Sequence, residues 1–364
     1  MIRVLQVVSN MDRAGIETML MNYYRHIDRK EIQFDFLCNK SKPGAYDDEI
    51  ISLGGKIFHT PGLNPFKYFQ YLKYMKQLFS LHPEYTIIHA HNDAFVTYSL
   101  FAAKMNLIKN RIAHVHSAAF TFDYKWPLKV VCRFFIKKVC SQKWACGEKA
   151  ALFYYGSLSD VHIHNNAIEV QQYVYNESDR VRIREKYQLQ DNIVIGHIGR
   201  FMKQKNHSFL IDIFKEIHER EPRAKLVLLG DGVREKMIKK KVHKMSLDES
   251  VMFVGNVGNA REWYQAFDLF LLPSIWEGLP LVGIEAQASD LPCVFSSDVT
   301  KEVQILPTSI FLSRKLSCKI WAEKCLDLMR SPKTRCDRTI EIQKAGFDIE
   351  IEAKKLELIY KSMR

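Results

Sequence analysis

The chain has 364 residues, 47% apolar and 26% charged, which is the make-up of a folded protein of two domains rather than of a disordered or fibrous chain. Lys and Arg number 53 against 41 Asp and Glu, a net charge of +12, and no stretch reaches the ~18 unbroken apolar residues that a spanning helix needs. Eight scattered cysteines without a CxxC pair exclude a zinc knuckle or a disulfide framework.

The N-terminus runs straight into a strand predicted at 2–8, without the basic start and cleavage site of a signal peptide, which predicts a cytoplasmic protein. Further strands are predicted at 32–38, 56–59, 86–89, 111–115 and 162–164. Helices fall between them near 15–28, 65–82, 93–105, 127–141 and 148–155. After the polar stretch 169–191 the scheme begins again, with strands at 192–199, 224–229, 250–254, 268–272 and 292–296. The intervening helices are 206–221, 234–245, 260–267 and 280–289, and a last helix at 349–363 is free to join either half. Apolar strands without alternation, spaced by helices, require a parallel sheet covered on both faces. Such a sheet binds ligands at the carboxyl ends of its strands. The expected domains are 1–170 and 171–346, with 347–364 packing back on the first.

The positive charge is uneven. Residues 1–150 hold 21 Lys and Arg against 12 Asp and Glu, which is +9, leaving +3 for the other 214. A basic excess confined to one half points to a polyanion, either nucleic acid or an anionic membrane face; a surface that merely aids solubility is the plain alternative.

In the second half, Glu277 and Glu285 stand eight apart in PSIWEGLPLVGIEA. On one continuous helix this would separate them by ~12 Å of rise, too far to share a ligand. With Pro280 as the first helical residue, Glu277 sits in the loop above the helix start and Glu285 points up from its second turn. The amides of Gly278, Leu279 and Leu281 then form an anion site assisted by the helix dipole. Two carboxylates around an anion site suit a nucleotide sugar, with hydroxyls at both ends and phosphate between; an ordinary junction with solvated glutamates is the alternative. Arg200 and Lys205, in GRFMKQKNH after the strand ending at Gly199, lie on the ligand rim, where two cations could hold a diphosphate or form a solvated basic loop.

In the first half, Gly15 and Glu17 lie where the first strand passes into its helix, a weak phosphate signal without GxGxxG. His89/His91 and His114/His116 form two His-x-His pairs at strand ends, each with both rings on one face. Such a pair could bind a metal, but no Cys or carboxylate nearby completes a ligand set, so a polar cleft lining is the reading taken and no metal is expected. Lys125, Lys129, Arg133 and Lys137 recur every four residues beside Trp126, Phe134 and Phe135. That pattern fits a helix lying in a membrane interface as well as it fits a solvated face.

With these motifs in view, the sequence resembles GT-B fold glycosyltransferases of family 4, which transfer sugars with retention of configuration. The likeness is strongest over 193–297, through GHIGRFMKQKNH, LLGDG, FVGNV and LPSIWEGLPLVGIEAQASDLPCVFSS. AGIETML, IIHAHN, RIAHVHS and HNNAIE in the first half are similar to motifs of enzymes building capsular or exopolysaccharide units. The resemblance implies an α/β architecture of two Rossmann-like domains facing each other across a donor-binding cleft. It further implies that Arg200 and Lys205, beside Gly199, grip the donor diphosphate and that Glu285 takes the ribose. Glu277, with Gly278, Leu279, Pro280 and Leu281, would take the transferred sugar and distal phosphate. The base would lie near Val254 and Val257, Gly15 would face the diphosphate, and His116 would touch the sugar near the reaction centre. Ala14 and Asn166 depart from the family's usual glycines.

The chain has no Asp-x-Asp, so the expectation is a metal-independent, same-face retaining transferase using a UDP-sugar, without cofactor. Its acceptor is expected to be a polyprenyl-diphosphate-linked glycan, met by the basic half (Glu17, His91, Lys125, Lys129 and Arg133) at the inner membrane surface, with no nucleic acid involved. A nucleotide-sugar 2-epimerase of the same fold and a non-catalytic sugar-nucleotide-binding subunit are the alternatives.

Overall fold

The computed structural model describes residues 1–12, 15–63, 68–120, 124–330 and 334–363. They form two units, Met1–Ala167 with Ile349–Arg364, and Ile168–Asp348.

In the first unit the chain runs β1 (Ile2–Val8), α1 (Gly15–His26), β2 (Ile32–Cys38), α2 (Asp47–Ser52), β3 (Ile57–His59), α3 (Tyr68–Leu81) and β4 (Tyr85–Ala90). It continues through α4 (Val96–Met105), β5 (Asn110–Val115), α5 (Trp126–Val139), β6 (Gln142–Ala145), α6 (Glu148–Tyr155) and β7 (Val161–Ile163). Among the described residues these strands form one parallel seven-stranded sheet in the order β3-β2-β1-β4-β5-β6-β7. Every residue of β2 is buried, as a strand covered on both faces requires. At its centre the Asp35 carboxylate accepts two hydrogen bonds from Arg3, both 2.6 Å, and one from the Tyr85 hydroxyl at 2.6 Å.

The second unit holds α7 (Glu177–Lys186), β8 (Ile193–Ile198), α8 (His207–His218), β9 (Ala224–Leu229), α9 (Glu235–Lys244), β10 (Val251–Gly255), α10 (Ala260–Ala266) and β11 (Leu269–Leu272). After these come α11 (Leu281–Ala288), β12 (Cys293–Ser296), β13 (Ser309–Leu312), α12 (Cys318–Arg330) and α13 (Thr339–Lys344). Its parallel sheet has the order β10-β9-β8-β11-β12-β13. The final helix, α14 (Ile349–Ser362), leaves this unit and buries Ile349, Ala353, Leu356 and Tyr360 against Tyr23, Phe34 and Trp144 of the first.

Both sheets reverse strand order once, between β1 and β4 in the first and between β8 and β11 in the second. A crevice opens at such a point, beyond the carboxyl ends of the strands. The segments after β8 (Gly199 to Lys205) and after β11 (Pro273 to Glu277) flank it in the second unit. The sequence reading omits α2, β6, α7, β13, α12 and α13, and runs the helix before β6 on to residue 141, whereas α5 stops at Val139. Strand β6 is only four residues long and begins with Gln142 and Lys143, so it carries neither an apolar run nor an alternation. Helix α7 lies in the polar stretch read as a linker; Asn176 caps it by accepting the Asp179 amide, and of its ten residues only Ile183 and Arg184 are buried.

Candidate active site

The second unit's carboxyl edge brings together the cationic and acidic motifs. Chain entry into α8 is tight: Phe201 donates its amide to the Asp231 carbonyl at 2.7 Å, and Gly199 donates to Leu229 at 2.9 Å. The Gly230-Asp231-Gly232 turn is therefore pressed on this loop. A Cβ at Gly230, whose φ is +127°, would come 2.4 Å from the Gly199 carbonyl oxygen, a contact only glycine avoids.

Lys205 reaches across to the loop after β11, its Nζ 2.8 Å from Glu277 Oε1, with the side chains 17% and 7% exposed. The amide of Gln204 donates to Glu277 Oε2 at 2.9 Å, and Ile275 N donates to the Gln204 carbonyl at 2.8 Å, so the two loops are stitched together. Arg200 is exposed, and among the described residues its guanidinium has no ion-pair partner. It is therefore free to turn toward an anion.

Pro280 is not the first helical residue. Its φ of −78° and ψ of 101° are extended, and it stands immediately before α11. The correction is one residue and leaves the chemistry unchanged, since the amides of Gly278, Leu279 and Leu281 donate to no other group among the described residues. Glu285, on the second turn of α11, is half-buried and accepts the Tyr264 hydroxyl at 2.6 Å. Burial raises its pKa, while hydrogen bonds from Tyr264 and Tyr173 and the charge of Lys205 oppose that rise. Val254 and Val257 pack in the same apolar cluster as Leu279, Leu281 and Val282.

Several polar groups here went unread in the sequence. His207, the first residue of α8, stacks on Phe201 with ring centroids 4.2 Å apart, and neither ring nitrogen has a partner although both are buried. His197 Nε2 and Ser274 Oγ are buried and unpartnered at the same edge. Burial, helped by the positive charge of Lys205, brings the His207 pKa down to about 4, so the imidazole is neutral at neutral pH. A GRF…KNH pattern offers these residues, but only the strand order shows that they meet.

A cavity of about 900 Å³ lies at the opposite, amino-terminal edge of this sheet, lined by Arg180, Arg184, Asp268, Asp290 and Arg335 among others. Its arginines are committed to protein groups. Arg335 donates to the carbonyls of Tyr264, Gln265 and Ser289, and Arg184 to those of Ala266 and Asn192, which makes the cavity a clamp on strand starts.

In the first unit, His89, His91, His114 and His116 do share one face of the sheet, as their spacing predicts. They are not an open cleft lining. His91, expected on the acceptor side, is 1% exposed and donates Nε2–H to Gln6 Oε1 at 2.9 Å while its Nδ1 lies 3.0 Å from His116 Nε2. It therefore cannot touch an acceptor; α1, through Met19, Leu20 and Tyr23, and α14, through Leu356 and Tyr360, cover this face. His89, His91 and His114 offer nitrogens within 4.8 Å of one another, yet all except His114 Nε2 already have side-chain partners. Of these four rings only His116 is half-exposed. Its loop is anchored by Asp93, whose Oδ1 accepts the amides of His116 at 2.8 Å and Ser117 at 3.2 Å and whose Oδ2 accepts the Ser117 hydroxyl at 3.0 Å. Asp93 holds φ at +49° to do so.

Gly15 begins α1 and is exposed, with nothing within 4 Å of where a Cβ would stand, so packing does not require glycine there. Ala14 lies outside the described residues. Glu17, in the first turn of α1, is half-buried, and burial raises its pKa. On α5 the basic stripe leans inward: the Arg133 guanidinium lies 4.5 Å from the Phe153 ring centroid, and Lys129 is half-buried. The outermost groups are instead Phe134 at 75%, Phe135 at 46% and Val131 at 51% exposed, with exposed Lys137 and Lys138 and half-buried Lys125 at the helix ends.

The second unit's sheet thus carries cations, free amides and carboxylates at its strand-order reversal, and comparison with known proteins gives the class. Residues 179–342 match the family model "Glycosyl transferases group 1", and residues 13–146 match "Glycosyltransferase Family 4". The chain is 34% identical over 333 residues to EpsF of Bacillus subtilis (strain 168), a protein named as a glycosyltransferase, covering 88% of this chain and 86% of that one. It is 24% identical over 376 residues to the capsular polysaccharide biosynthesis glycosyltransferase CapH of Staphylococcus aureus, covering 100% and 99%. HepE of Anabaena, solved in complex with UDP, superposes with a TM-score of 0.81 at 15% identity over the full length of both chains. The chain belongs to the family 4 glycosyltransferases and has their GT-B fold. It is a transferase.

Proposed function

We propose that the protein moves a sugar from a UDP-sugar to a lipid-linked glycan at the inner membrane face, in capsular or exopolysaccharide biosynthesis. The observation that carries the reading is the carboxyl edge of the second sheet, where Lys205 pairs with Glu277 beside the open amides at the start of α11 and Arg200 stands exposed on the same loop as Lys205. Such a site meets a diphosphate with two cations and a helix start. The UDP bound by HepE, and the polysaccharide type named for CapH, support the donor and the pathway.

In the proposed reaction, the acceptor hydroxyl oxygen bonds to the anomeric carbon as the bond from that carbon to the diphosphate oxygen breaks. The leaving phosphate oxygen takes the hydroxyl proton on the same face, so configuration is retained. Arg200, Lys205 and the α11 amides stabilise the charge left on the diphosphate, a role that needs no metal ion. Glu285 takes the ribose hydroxyls.

Nucleotide release from a panel of UDP-, GDP- and ADP-sugars, with and without membrane lipid extract, tests this. Release from a UDP-sugar that requires the lipid and survives EDTA is the expected outcome. Donor loss without lipid would favour an epimerase, and UDP binding without turnover would favour a partner-dependent subunit.

The exposed face of α5 is the proposed contact with the membrane. Apolar side chains flanked by lysines gain from both hydrocarbon burial and anionic headgroups, about 1 kcal/mol per lysine near the surface. No described helix is long and apolar enough to cross a membrane. Phe134→Ser combined with Lys137→Glu and Lys138→Glu should release the protein from vesicles containing anionic lipid. Unchanged partitioning would remove α5 from the contact.

A further inference from the structure

One face of the first sheet carries a buried hydrogen-bond chain that ends at His116. Gln6 on β1 donates its amide Nε2 to the Tyr360 hydroxyl of α14 at 3.3 Å and accepts His91 Nε2–H on its Oε1 at 2.9 Å. The Tyr360 hydroxyl also bonds His89 Nδ1 at 2.7 Å, and His89 Nε2 bonds His114 Nδ1 at 3.2 Å. Burial keeps these imidazoles neutral, so each ring holds a single proton.

Single occupancy makes the chain directional. His91 gives its Nε2 proton to Gln6, so its Nδ1 is a bare acceptor. The His116 Nε2 atom, 3.0 Å from that acceptor, must carry the hydrogen. The Nδ1 lone pair of His116 is left over, on a half-exposed ring at the carboxyl end of β5, and no described residue bonds to it. Asp93 holds the backbone of His116, and the ring packs beside His114 with centroids 4.1 Å apart.

We propose that Gln6 and His91 are positioning residues that fix the tautomer of His116, presenting Nδ1 as a hydrogen-bond acceptor for a hydroxyl of the sugar substrate. The inference rests on reading the chain as a sugar transferase with His116 at the substrate. It assigns His116 a role the resemblance leaves open: it receives a hydroxyl hydrogen and has no proton to give to the leaving group.

Imidazole ¹⁵N spectra of histidine-labelled protein at pH 7.5, with His116 assigned through His116→Asn, test this without substrate. The expected spectrum shows His116 protonated at Nε2 and bare at Nδ1; the opposite pattern overturns the proposal whatever the activity. In Gln6→Met, where the acceptor for His91 is lost, the Nδ1-protonated form of His116 should appear and kcat/KM should fall on the order of tenfold. Gln6→Glu, which still accepts from His91, should restore both. A fall in activity with an unchanged tautomer would show Gln6 acting only on packing, and would also overturn it. Absence of turnover with every donor, beside the expected spectrum, would instead count against the transferase reading alone.

Discussion

Lys205→Ala is expected to lower turnover about 100- to 1,000-fold, the loss typical of removing one preorganised group that stabilises charge in a transition state. In the free protein the Lys205 ammonium, 2.8 Å from Glu277, neutralises a carboxylate that is only 7% exposed. Its removal therefore does two things: it takes a cation from the departing diphosphate, and it leaves Glu277 with only the Gln204 amide as a partner. The second effect lowers Tm, because a nearly buried carboxylate without its cation is costly. The two effects separate in the double variant with Glu277→Gln. Removing the orphaned charge should recover most of the Tm while turnover stays low. Wild-type turnover in the Lys205→Ala protein would take Lys205 out of the leaving-group role. Arg200→Ala should behave differently, raising KM for the donor with little change in Tm, since Arg200 is exposed and no described residue depends on it.

The carboxyl edges of both sheets were legible because each is built from local signals. Strands β1, β2 and β9 fall at their predicted limits since a fully covered parallel strand is a run of apolar residues closed by a polar turn. Glu277 falls in the loop before α11 and Glu285 on its second turn, as the proline and the spacing predict, because a proline marks a helix start. What the sequence withheld are partnerships between distant residues. The hydroxyl of Tyr264 on Glu285, the carboxylate of Asp93 under His116 and the bond from Gln6 to Tyr360, 354 residues away, have no counterpart in periodicity or composition. The histidine face shows the limit best. Spacing put two rings of each pair on one side, but whether that side meets solvent or another layer depends on α14, whose destination the sequence left open. Likewise α5 is amphipathic in sequence, and only its packing on Phe153 shows that Arg133 leans inward while Phe134 faces out.

Acidification should unfold the protein well before its carboxylates titrate. Burial lowers the pKa of His89, His91, His114 and His164, bringing His164 down to about 3, and His116 beside them also to about 3. An unfolded histidine titrates near 6.5. Between these limits the unfolded chain binds protons that the folded chain cannot, so stability is complete above about pH 6.5 and declines as pH falls through that value. Each fully buried ring removes up to about 1.4 kcal/mol per pH unit. His197 and His207 of the second unit shift in the same direction, so both units lose stability by this route, while the raised carboxyls of Glu17, Asp93 and Glu285 offset part of it. Against a typical margin of about 5–15 kcal/mol, four such rings exhaust the stability within roughly one to three pH units. Tm followed by circular dichroism should therefore be level from pH 8 to 7 and fall by roughly 10–20 °C per unit below pH 6. Depressed carboxylates lose their contribution only nearer pH 4, which leaves the interval between 6.5 and 5 to the histidines. A Tm that stays flat across that interval would mean these rings accept protons in place. His164→Phe, which removes one ring beside Trp144, should make the fall shallower while keeping its onset, because the remaining rings still titrate from the same unfolded value.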